Sequence, residues 1–286
     1  MNKKYKYKVS ILILTFNNAD TISSCLESLD NQTLIDFEII IRDNNSADNT
    51  VTQLKQYDNI KLYAADSNIG FAAGINYLSR QANGEYLYIL NPDCECPADM
   101  LEKLYEFAQN NPGVISPALI YPDGTPQLSA RHLISYKNVL FSRKSPLYQM
   151  GFSSIDSAGY LMPENRSKVP AVSATALFIR NDLFQTIDGF DERFFLYLED
   201  IDLCFRLNSI NVDIWYLPDV KLKHILGASS SKASFRAGYY HHHSMFKYFT
   251  KHFSGNYIRN ILLLIVLTAG FVISVMINIT KPKRRK

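Results

Sequence analysis

Cysteine is scarce in this sequence, with four residues among 286, and only Cys94 and Cys96 lie close together. No second pair follows at the spacing of a zinc finger, and disulfide scaffolds are short chains that are much richer in cysteine. The sequence therefore predicts free, reduced thiols. A secretion signal is also lacking, because the apolar run after the basic start covers only Val9–Leu14. We expect the chain to stay in the cytoplasm.

Positive charge is scarce outside the last six residues. Those residues read KPKRRK and hold 5 of the 30 Lys and Arg, which leaves 25 basic against 27 acidic residues, or about −2, over residues 1–280. Nucleic-acid-binding domains usually carry a basic face, so the composition argues against nucleic acid as a partner. An apolar content of 47% in 286 residues is enough for one large core.

From Lys8 onward the chain repeats a unit of apolar run, polar turn and helical stretch. The apolar runs are KVSILIL, FEIIIR, IKLYA, EYLYIL and VISPAL. This alternation predicts an α/β fold with a Rossmann-like, mostly parallel central sheet flanked by helices. Ligands of such sheets bind at the carboxyl ends of the strands. The segment 122–170 is richer in Gly, Pro and Ser, and it predicts an irregular insertion or hairpin that crosses the site.

Polar turns follow the first four predicted strands, where a ligand of the sheet would bind. They are Thr15–Asn18, Asp43–Ser46, Asp66–Gly70 and Asn91–Asp93. A dinucleotide dehydrogenase would need G-x-G-x-x-G after its first strand, but the first turn has no glycine. The glycines of NIGFAAGIN come two units later and in a different spacing. Four polar turns on one edge therefore predict a single extended ligand of another kind.

Each turn residue also has an ordinary structural alternative. Asp43 could cap the helix that follows its turn. Asn68 with Gly70 could form an ordinary turn, and Asn91–Asp93 could be a β-turn. His224 alone could be a structural histidine. The functional interpretation rests on their order, one after each strand.

The stretch FFLYLEDIDLCFRL, residues 194–207, predicts a helix with three acids near its start. Asp202 lies four residues before Arg206, which predicts an ion pair on the helix surface. Glu199 suits the positive N-terminal end of the helix dipole. Asp200 has no such local partner, and an unpaired charge in an apolar helix is a candidate for chemistry. A glycoside hydrolase pair is disfavoured, because adjacent helix residues point about 100° apart.

Several motifs together resemble the inverting family 2 glycosyltransferases, and in particular their rhamnosyltransferase-like branch. The similar segments are SILILTFNN, IIIRDNNSADNT, NIGFAAGIN, YILNPDCEC and VSATALFIRNDLFQTIDGFDERFFLYLEDIDLCFRL, and the resemblance runs from about Val9 to the Ser229 region. It implies a GT-A fold and the transfer of a sugar, with inversion, from a nucleoside-diphosphate donor.

For the donor, the resemblance implies a nucleotide-binding set drawn from the first three turns. Its members are Thr15, Phe16, Asn17, Asp43, Asn68 and Gly70. Among them, Asp43 matches the carboxylate that accepts a hydrogen bond from the ring N–H of the base, which makes a capping role secondary. Ser229 and Ser230 lie in a run that would close as a flexible loop over the diphosphate.

For the chemistry, the resemblance implies that Asp200 is the general base and that Glu199 lies on the acceptor side. Asp93 matches the last acid of the family's D-x-D metal motif, and His224 matches a histidine near the diphosphate. These two are the predicted ligands of a divalent cation, Mg²⁺ or Mn²⁺. Asn91 stands in place of the first acid of the motif, which leaves the strictness of the metal requirement open.

The C-terminal part of the sequence predicts two further helices. Residues 234–253 form an amphipathic pattern whose His241–His243 run would face a membrane or the acceptor rather than a metal. Ile261–Ile279 has no charged residue and would form about 28 Å of helix, close to a hydrocarbon core, with a buried or dimer-interface helix as the alternative. An interfacial or re-entrant helix would keep both of its flanks in the cytoplasm. We expect a catalytic domain at 1–232, an amphipathic segment at 233–256 and a membrane-anchoring helix with a basic tail at 257–286.

The sequence thus predicts an inverting glycosyltransferase at the cytoplasmic face of the cell membrane. Its substrates would be a nucleoside-diphosphate sugar, with rhamnose as the first candidate, and a polyprenyl-linked glycan acceptor in cell-surface polysaccharide synthesis. The alternative is a non-catalytic glycan-binding or scaffold subunit with the same fold, which the missing acid at Asn91 would suit.

Overall fold

The computed structural model describes residues 5–136, 139, 159–225, 234–255 and 257–280. All five strands expected from the apolar runs are confirmed: β1 (Tyr7–Thr15), β2 (Phe37–Asp43), β3 (Ile60–Ala64), β4 (Gly84–Leu90) and β6 (Val114–Ile120). The helices between them are α1 (Ile22–Asp30), α2 (Thr50–Leu54), α3 (Phe71–Gln81) and α4 (Met100–Asn110). Later in the chain come α5 (Asn181–Thr186), α6 (Glu199–Ser209), α7 (Ser234–His252) and α8 (Tyr257–Thr280).

The central sheet is mixed rather than mostly parallel. Its further strands are β5 (Cys94–Glu95), β7 (Pro126–Gln127), β10 (Ser167–Lys168), β12 (Ala176–Arg180) and β13 (Ile214–His224). The order is β10-β13-β6-β12-β4-β1-β2-β3, and β12 runs antiparallel between β4 and β6. A parallel neighbour requires a crossover, usually helical, whereas the described residues just before β12, 159–175, form short strands and turns. The α/β class itself is confirmed.

The sheet is buried on both faces by two apolar layers. Along β1, Leu12 belongs to the layer that includes α3, α6, α7 and α8, whereas Ile11 and Ile13 belong to the layer that includes α1 and α4. This alternation follows from the two-residue period of a strand. Burial of both faces explains why the runs read as continuously apolar. All four cysteines are free and buried, which confirms the prediction from their number.

The predicted insertion supplies a second, small sheet beside the main one. It consists of β11 (Ala171–Val172), β8 (Ala130–Arg131) and β9 (Tyr160–Leu161), all antiparallel. After β8 the chain contacts the C-terminal helices, since Tyr136 packs on Phe249 with ring centroids 4.4 Å apart and donates a hydrogen bond to Asn260. The insertion therefore contacts both α7 and α8.

The Asp202 carboxylate on α6 is the centre of a buried ionic network. The predicted contact with Arg206 exists, at 2.9 Å, but it is not on the surface, because the Asp202 side chain is fully buried. Lys251 and His252 of α7 approach the other carboxylate oxygen at 2.6 and 2.7 Å. Burial raises the pKa of this carboxyl, but the hydrogen bonds from His252 and Lys251 and the charge of Arg206 outweigh burial and hold it below its usual value. The network joins α7 to α6.

The last helix, α8, packs one side on the protein and exposes the other. Leu263 and Leu267 are buried against the core, whereas Ile261 and Ile265 are each 60% exposed. Over the described part of the chain, no helix combines the length and the apolar character that crossing a bilayer requires. The basic tail KPKRRK, residues 281–286, lies outside the described residues.

We predict that Asp202→Asn lowers the free energy of unfolding by about 3–5 kcal/mol, because it leaves buried cations without their counter-charge. Urea unfolding followed by circular dichroism would measure the loss. The stabilisation by Asp202 should be present above the usual carboxyl pKa and be lost as pH falls through the lowered folded-state pKa.

The matched control for this prediction is Asp219→Asn. Asp219 pairs with Arg166 at 2.6 Å, but both side chains are about half exposed. Removal of such a surface pair should cost about 1 kcal/mol or less. Equal losses in the two variants would contradict a special role for the buried network.

Candidate active site

The ends of β1 and β2 are joined side by side by polar contacts. Thr15 and Asp43 are register partners, and the Thr15 hydroxyl donates to the Asp43 carboxylate at 2.8 Å. The backbone N–H of Ser46 donates to the other oxygen of Asp43, also at 2.8 Å. The following helix starts only at Thr50, so Asp43 closes the turn and does not cap a helix. The aromatic ring of Phe16 is 43% exposed at this edge, where a flat base can stack.

The third turn lies against the second. The Asn44 amide donates to the Asn68 side chain at 3.2 Å and to the Gly70 carbonyl at 3.1 Å, and the Gly70 N–H donates to Asn68 at 2.9 Å. The structure therefore brings the predicted nucleotide-binding residues together in one continuous polar edge. Asn44, which sequence reasoning did not single out, is the residue that joins the two turns.

A close backbone contact fixes the Gly70 turn to the loop before α6. Gly70 has φ +87°, and a Cβ atom there would lie 2.4 Å from the carbonyl oxygen of Phe195. The next residue, Phe71, donates its N–H to that same carbonyl at 2.8 Å. Glycine is required at this position both for its conformation and for its lack of a side chain.

Two consecutive left-handed residues lead into α6. Tyr197 has φ 69° and Leu198 has φ 65°, which is an unfavourable conformation for side chains of this size. The turn makes the helix start at Glu199, so Glu199 and Asp200 occupy the first turn of α6. The N-terminal end of the helix dipole favours negative charge there.

The two predicted metal ligands lie next to each other. Asp93 and His224 are both nearly buried, and the Asp93 Oδ1 atom is 3.3 Å from His224 Nε2. Gln127 donates from its Nε2 atom to the His224 carbonyl at 2.7 Å, so its Oε1 atom, 2.8 Å from His224 Nδ1, is the acceptor of that contact. His224 therefore carries a proton on Nδ1. Its Nε2 lone pair then faces a carboxylate oxygen, and two facing acceptors need a cation between them or a proton on Nε2.

The donor atoms at this turn suit a divalent cation. One carboxylate and one imidazole leave room for diphosphate oxygens and water around Mn²⁺ or Mg²⁺. The Cys94 sulfur also lies within 4.8 Å of both ligand atoms, but burial raises the pKa of its thiol and keeps it protonated. The fit therefore depends on Asp93 and His224, with Gln127 holding the histidine.

Asp200 lines a cavity of about 250 Å³ that extends to the Asn91–Asp93 turn. Asn91, Arg131 and His241 of α7 also line this cavity. The Asp200 carboxylate accepts the Ile201 N–H at 2.8 Å and meets the Arg131 guanidinium at 3.4 Å. The Asp200 carboxylate, for which the sequence showed no local partner, therefore pairs with Arg131, which lies 69 residues earlier in the chain.

Glu199 lines the same cavity and has a different environment. It is 7% exposed, and its Oε2 atom has no hydrogen-bond partner among the described residues. Burial first, and then the charge of Asp200, raise the pKa of Glu199 to about 8. The first turn of α6 therefore presents one carboxyl group whose pKa is raised by burial, next to the Asp200 carboxyl group that contacts Arg131.

A larger cavity of about 570 Å³ lies elsewhere and is lined by Asp191, Arg206 and Lys251, among others, but by none of the predicted site residues. Acidic and basic side chains balance in the lining of this cavity. Several of them already form ion pairs in the network around Asp202. Two of the predicted residues, Ser229 and Ser230, lie outside the described residues.

Comparisons with known proteins show the family of the chain. A family model described as glycosyl transferase family 2 matches residues 10–186, more than half of the chain. The N-acetylglucosaminyl-diphospho-decaprenol L-rhamnosyltransferase of Mycobacterium tuberculosis is 25% identical over 263 residues, which cover 86% of this chain and 85% of that protein. The rhamnosyltransferase WbbL of Escherichia coli strain K12 is 26% identical over 263 residues, which cover 86% and 88%.

Solved structures share the fold at lower identity. TarS 1–349 of S. aureus in complex with UDP has a TM-score of 0.55 and 20% identity, and the match covers 77% of this chain and 61% of that one. GalNAc-T7 with UDP, GalNAc and Mn²⁺ has a TM-score of 0.59 and 14% identity, and the match covers 77% of this chain and 44% of that one. Because the family model matches more than half of the chain, the chain belongs to glycosyl transferase family 2, and it is a glycosyltransferase with a GT-A fold.

Proposed function

We propose that this chain is an inverting glycosyltransferase that transfers a sugar from a nucleoside diphosphate to a polyprenyl-linked glycan. The main support is the position of Asp200, whose carboxylate shares one cavity with Asn91 of the metal turn. The proposed base and the turn proposed to hold the leaving group then border the same space. Rhamnose is the proposed sugar, since both relatives described above are named as rhamnosyltransferases.

In the proposed reaction, an acceptor hydroxyl attacks the anomeric carbon of the donor and the nucleoside diphosphate leaves from the opposite face. Asp200 takes the hydroxyl proton as the new C–O bond forms, because a sugar hydroxyl is a weak nucleophile at neutral pH. The Ile201 N–H, at the N-terminus of α6, and the Arg131 guanidinium orient the Asp200 carboxylate. A single displacement of this kind inverts the anomeric configuration.

The donor would lie along the polar edge at the ends of β1, β2 and β3. Phe16 offers a ring to the base, and Asp43 offers a carboxylate to its ring N–H. The diphosphate would reach Asp93 and His224, which would hold a divalent cation. Such a cation, when bound, neutralises the charge that develops on the leaving diphosphate. Asn91 adds a neutral amide to this turn in place of a second carboxylate.

We also propose that the chain works at the cytoplasmic face of the cell membrane. The exposed side of α8 supports this, because it presents large apolar residues that a soluble surface rarely groups together: Tyr257, Ile258, Ile261, Leu262, Leu264 and Ile265. A helix with one face on the protein and an apolar face outward can lie in the bilayer interface. An acceptor with a lipid tail would meet the enzyme there.

Asp200→Asn should lower the rate of transfer by about 100-fold or more, because it removes the base while keeping the size of the side chain. Transfer from a panel of labelled nucleotide sugars to lipid extract would measure it, and calorimetry would check that nucleoside-diphosphate binding is unchanged. Asp219→Asn, on the exposed surface, is the control. Near-normal turnover would remove Asp200 from the mechanism, and wild-type protein that binds glycan without any transfer would favour a scaffold role.

Asp93→Ala and His224→Ala should each weaken Mn²⁺ binding in the presence of nucleoside diphosphate, because they remove the proposed ligands. Gln127→Leu should weaken it by about 10- to 100-fold, since the histidine loses its fixed orientation. Electron paramagnetic resonance of Mn²⁺ would measure these affinities. Glu95→Gln is the control and should bind Mn²⁺ normally, because Glu95 lies next to the turn but pairs with Lys223. Full transfer activity in excess chelator would contradict the proposed cation.

Ile261→Gln with Ile265→Gln should weaken binding to anionic lipid vesicles by about tenfold or more. The two side chains lie one turn apart on the exposed side of α8, and burial of each in lipid contributes about 1.5 kcal/mol. Vesicle flotation would measure binding, and transfer to a short water-soluble acceptor should be retained. Ile35→Gln replaces an exposed isoleucine elsewhere and serves as the control. Unchanged flotation of the double variant would show that this face does not contact lipid.

A further inference from the structure

Arg42 is a nearly buried cation beside the predicted nucleotide edge, and no carboxylate of the described residues pairs with it. It is 9% exposed and lies on β2 directly before Asp43. Its guanidinium lies over the Tyr77 ring of α3, 4.7 Å from the centroid. Tyr63, its register partner on β3, packs edge-on against the same ring. A buried arginine without a carboxylate is unusual, which points to a role at the neighbouring turns.

A hydrogen bond from Arg42 anchors the Asn44 side chain. The Arg42 Nε–H donates to Asn44 Oδ1 at 3.1 Å, and arginine has no acceptor, so the amide oxygen of Asn44 faces Arg42. The Asn44 amide nitrogen then faces the third turn, where it donates to the Gly70 carbonyl at 3.1 Å and to Asn68 Oδ1 at 3.2 Å. Asn44 is only 2% exposed, so Arg42 supplies the partner that its buried oxygen requires.

The orientation of Asn68 follows from the same contacts. Its Oδ1 atom accepts from Asn44 and also from the Gly70 N–H at 2.9 Å, so both lone pairs of this oxygen are used. Its amide nitrogen keeps two N–H donors that bind no other described residue. Asn68 is half-buried at the predicted nucleotide edge. This edge therefore presents a donor group to its ligand, and the ligand atom that meets it is an acceptor.

We propose that Arg42 is a positioning residue for the donor nucleotide. It acts through Asn44, which holds Asn68 with its amide nitrogen outward, and Asn68 donates to an acceptor atom of the nucleoside. Arg42 itself does not touch the nucleotide. Without its donor, the buried oxygen of Asn44 is unpaired, so Asn44 leaves the third turn and the Asn68 amide loses its fixed position. This inference rests on the proposed function.

The test measures the affinity of the full-length chain for UDP, dTDP and GDP by titration calorimetry, and the tightest of the three is followed in the variants. Arg42→Met removes the donor and keeps an apolar chain over Tyr77, so the affinity should fall by about tenfold. Arg42→Gln places an amide nitrogen at the same position along the side chain, without the charge. Its affinity should therefore stay within about threefold of the wild-type value.

A double-mutant cycle separates a role through Asn44 from a general structural one. Arg42→Met should have no further effect on the affinity in an Asn44→Ala background, because the intermediate residue is already gone. Both single variants should raise the KM for the donor sugar more than they lower kcat, since nucleotide contacts are made before the transition state. Arg180→Met, which breaks an exposed pair with Asp182, is the matched control and should bind normally.

Asn68→Asp tests the outward donor without any change at Arg42. The aspartate keeps the oxygen that accepts from Asn44 and Gly70, but it replaces the outward amide nitrogen with an acceptor. The affinity for the nucleoside diphosphate should fall by about tenfold or more. Melting temperatures would show that each variant is folded, and this variant keeps the inference testable if Arg42→Met does not fold.

Four results would each overturn the inference. They are wild-type affinity in Arg42→Met, an equal loss in Arg42→Met and Arg42→Gln, a full further loss from Arg42→Met in the Asn44→Ala background, and wild-type affinity in Asn68→Asp. The second of these would show that the charge of Arg42 matters rather than its hydrogen bond. All four leave the proposed transferase intact, because the wild-type chain still binds its nucleotide. Wild-type protein that binds none of the three nucleotides would instead contradict the proposed function, and the inference with it.

Discussion

The hydrogen bond from the Phe71 N–H to the Phe195 carbonyl, 2.8 Å long, connects the two halves of the active site. On one side is the Gly70 turn that belongs to the predicted nucleotide edge, and on the other is the loop that starts the helix of Asp200. The bond exists only because Gly70 has no side chain to displace Phe195. Catalysis is sensitive to shifts of about 1 Å in the reacting groups, so in the proposed mechanism this contact would set the distance between the nucleotide edge and Asp200.

Helix α7 then stabilises the strained loop from its other side. Ser244 donates to the Leu196 carbonyl at 2.9 Å, Lys247 donates to the Arg193 carbonyl, and Phe195 stacks on Tyr240. The left-handed residues before α6 are unfavourable on their own and persist when surrounding contacts over-determine them. The network around Asp202 adds charge pairing to the same interface. Helix α7 thus contributes to the shape of the loop before α6.

The strands and the turn residues could be predicted from sequence because both are local signals. Apolar runs predict β1 to β4 and β6, and short motifs predict Thr15, Asp43 and Asp93 at their ends. Arg131 and Gln127 could not be predicted, since they contact Asp200 and His224 across 69 and 97 residues of chain. The antiparallel β12 was also missed, because an apolar run does not encode strand direction. The surface position assigned to Asp202 was wrong because helix spacing does not reveal what a later helix covers.

Adjacent positions on α6 carry carboxyl groups whose surroundings differ. Asp200 receives the Ile201 N–H and the Arg131 guanidinium, both of which stabilise negative charge. Glu199 is buried, and the nearest charge on its own helix is the negative Asp200. Two carboxylates at this spacing would repel each other, so stabilisation of the charge on one favours the proton on the other. Arg131 acts on both residues, since its guanidinium contacts the Asp200 carboxylate and its charge partly offsets the burial and the Asp200 charge that raise the pKa of Glu199.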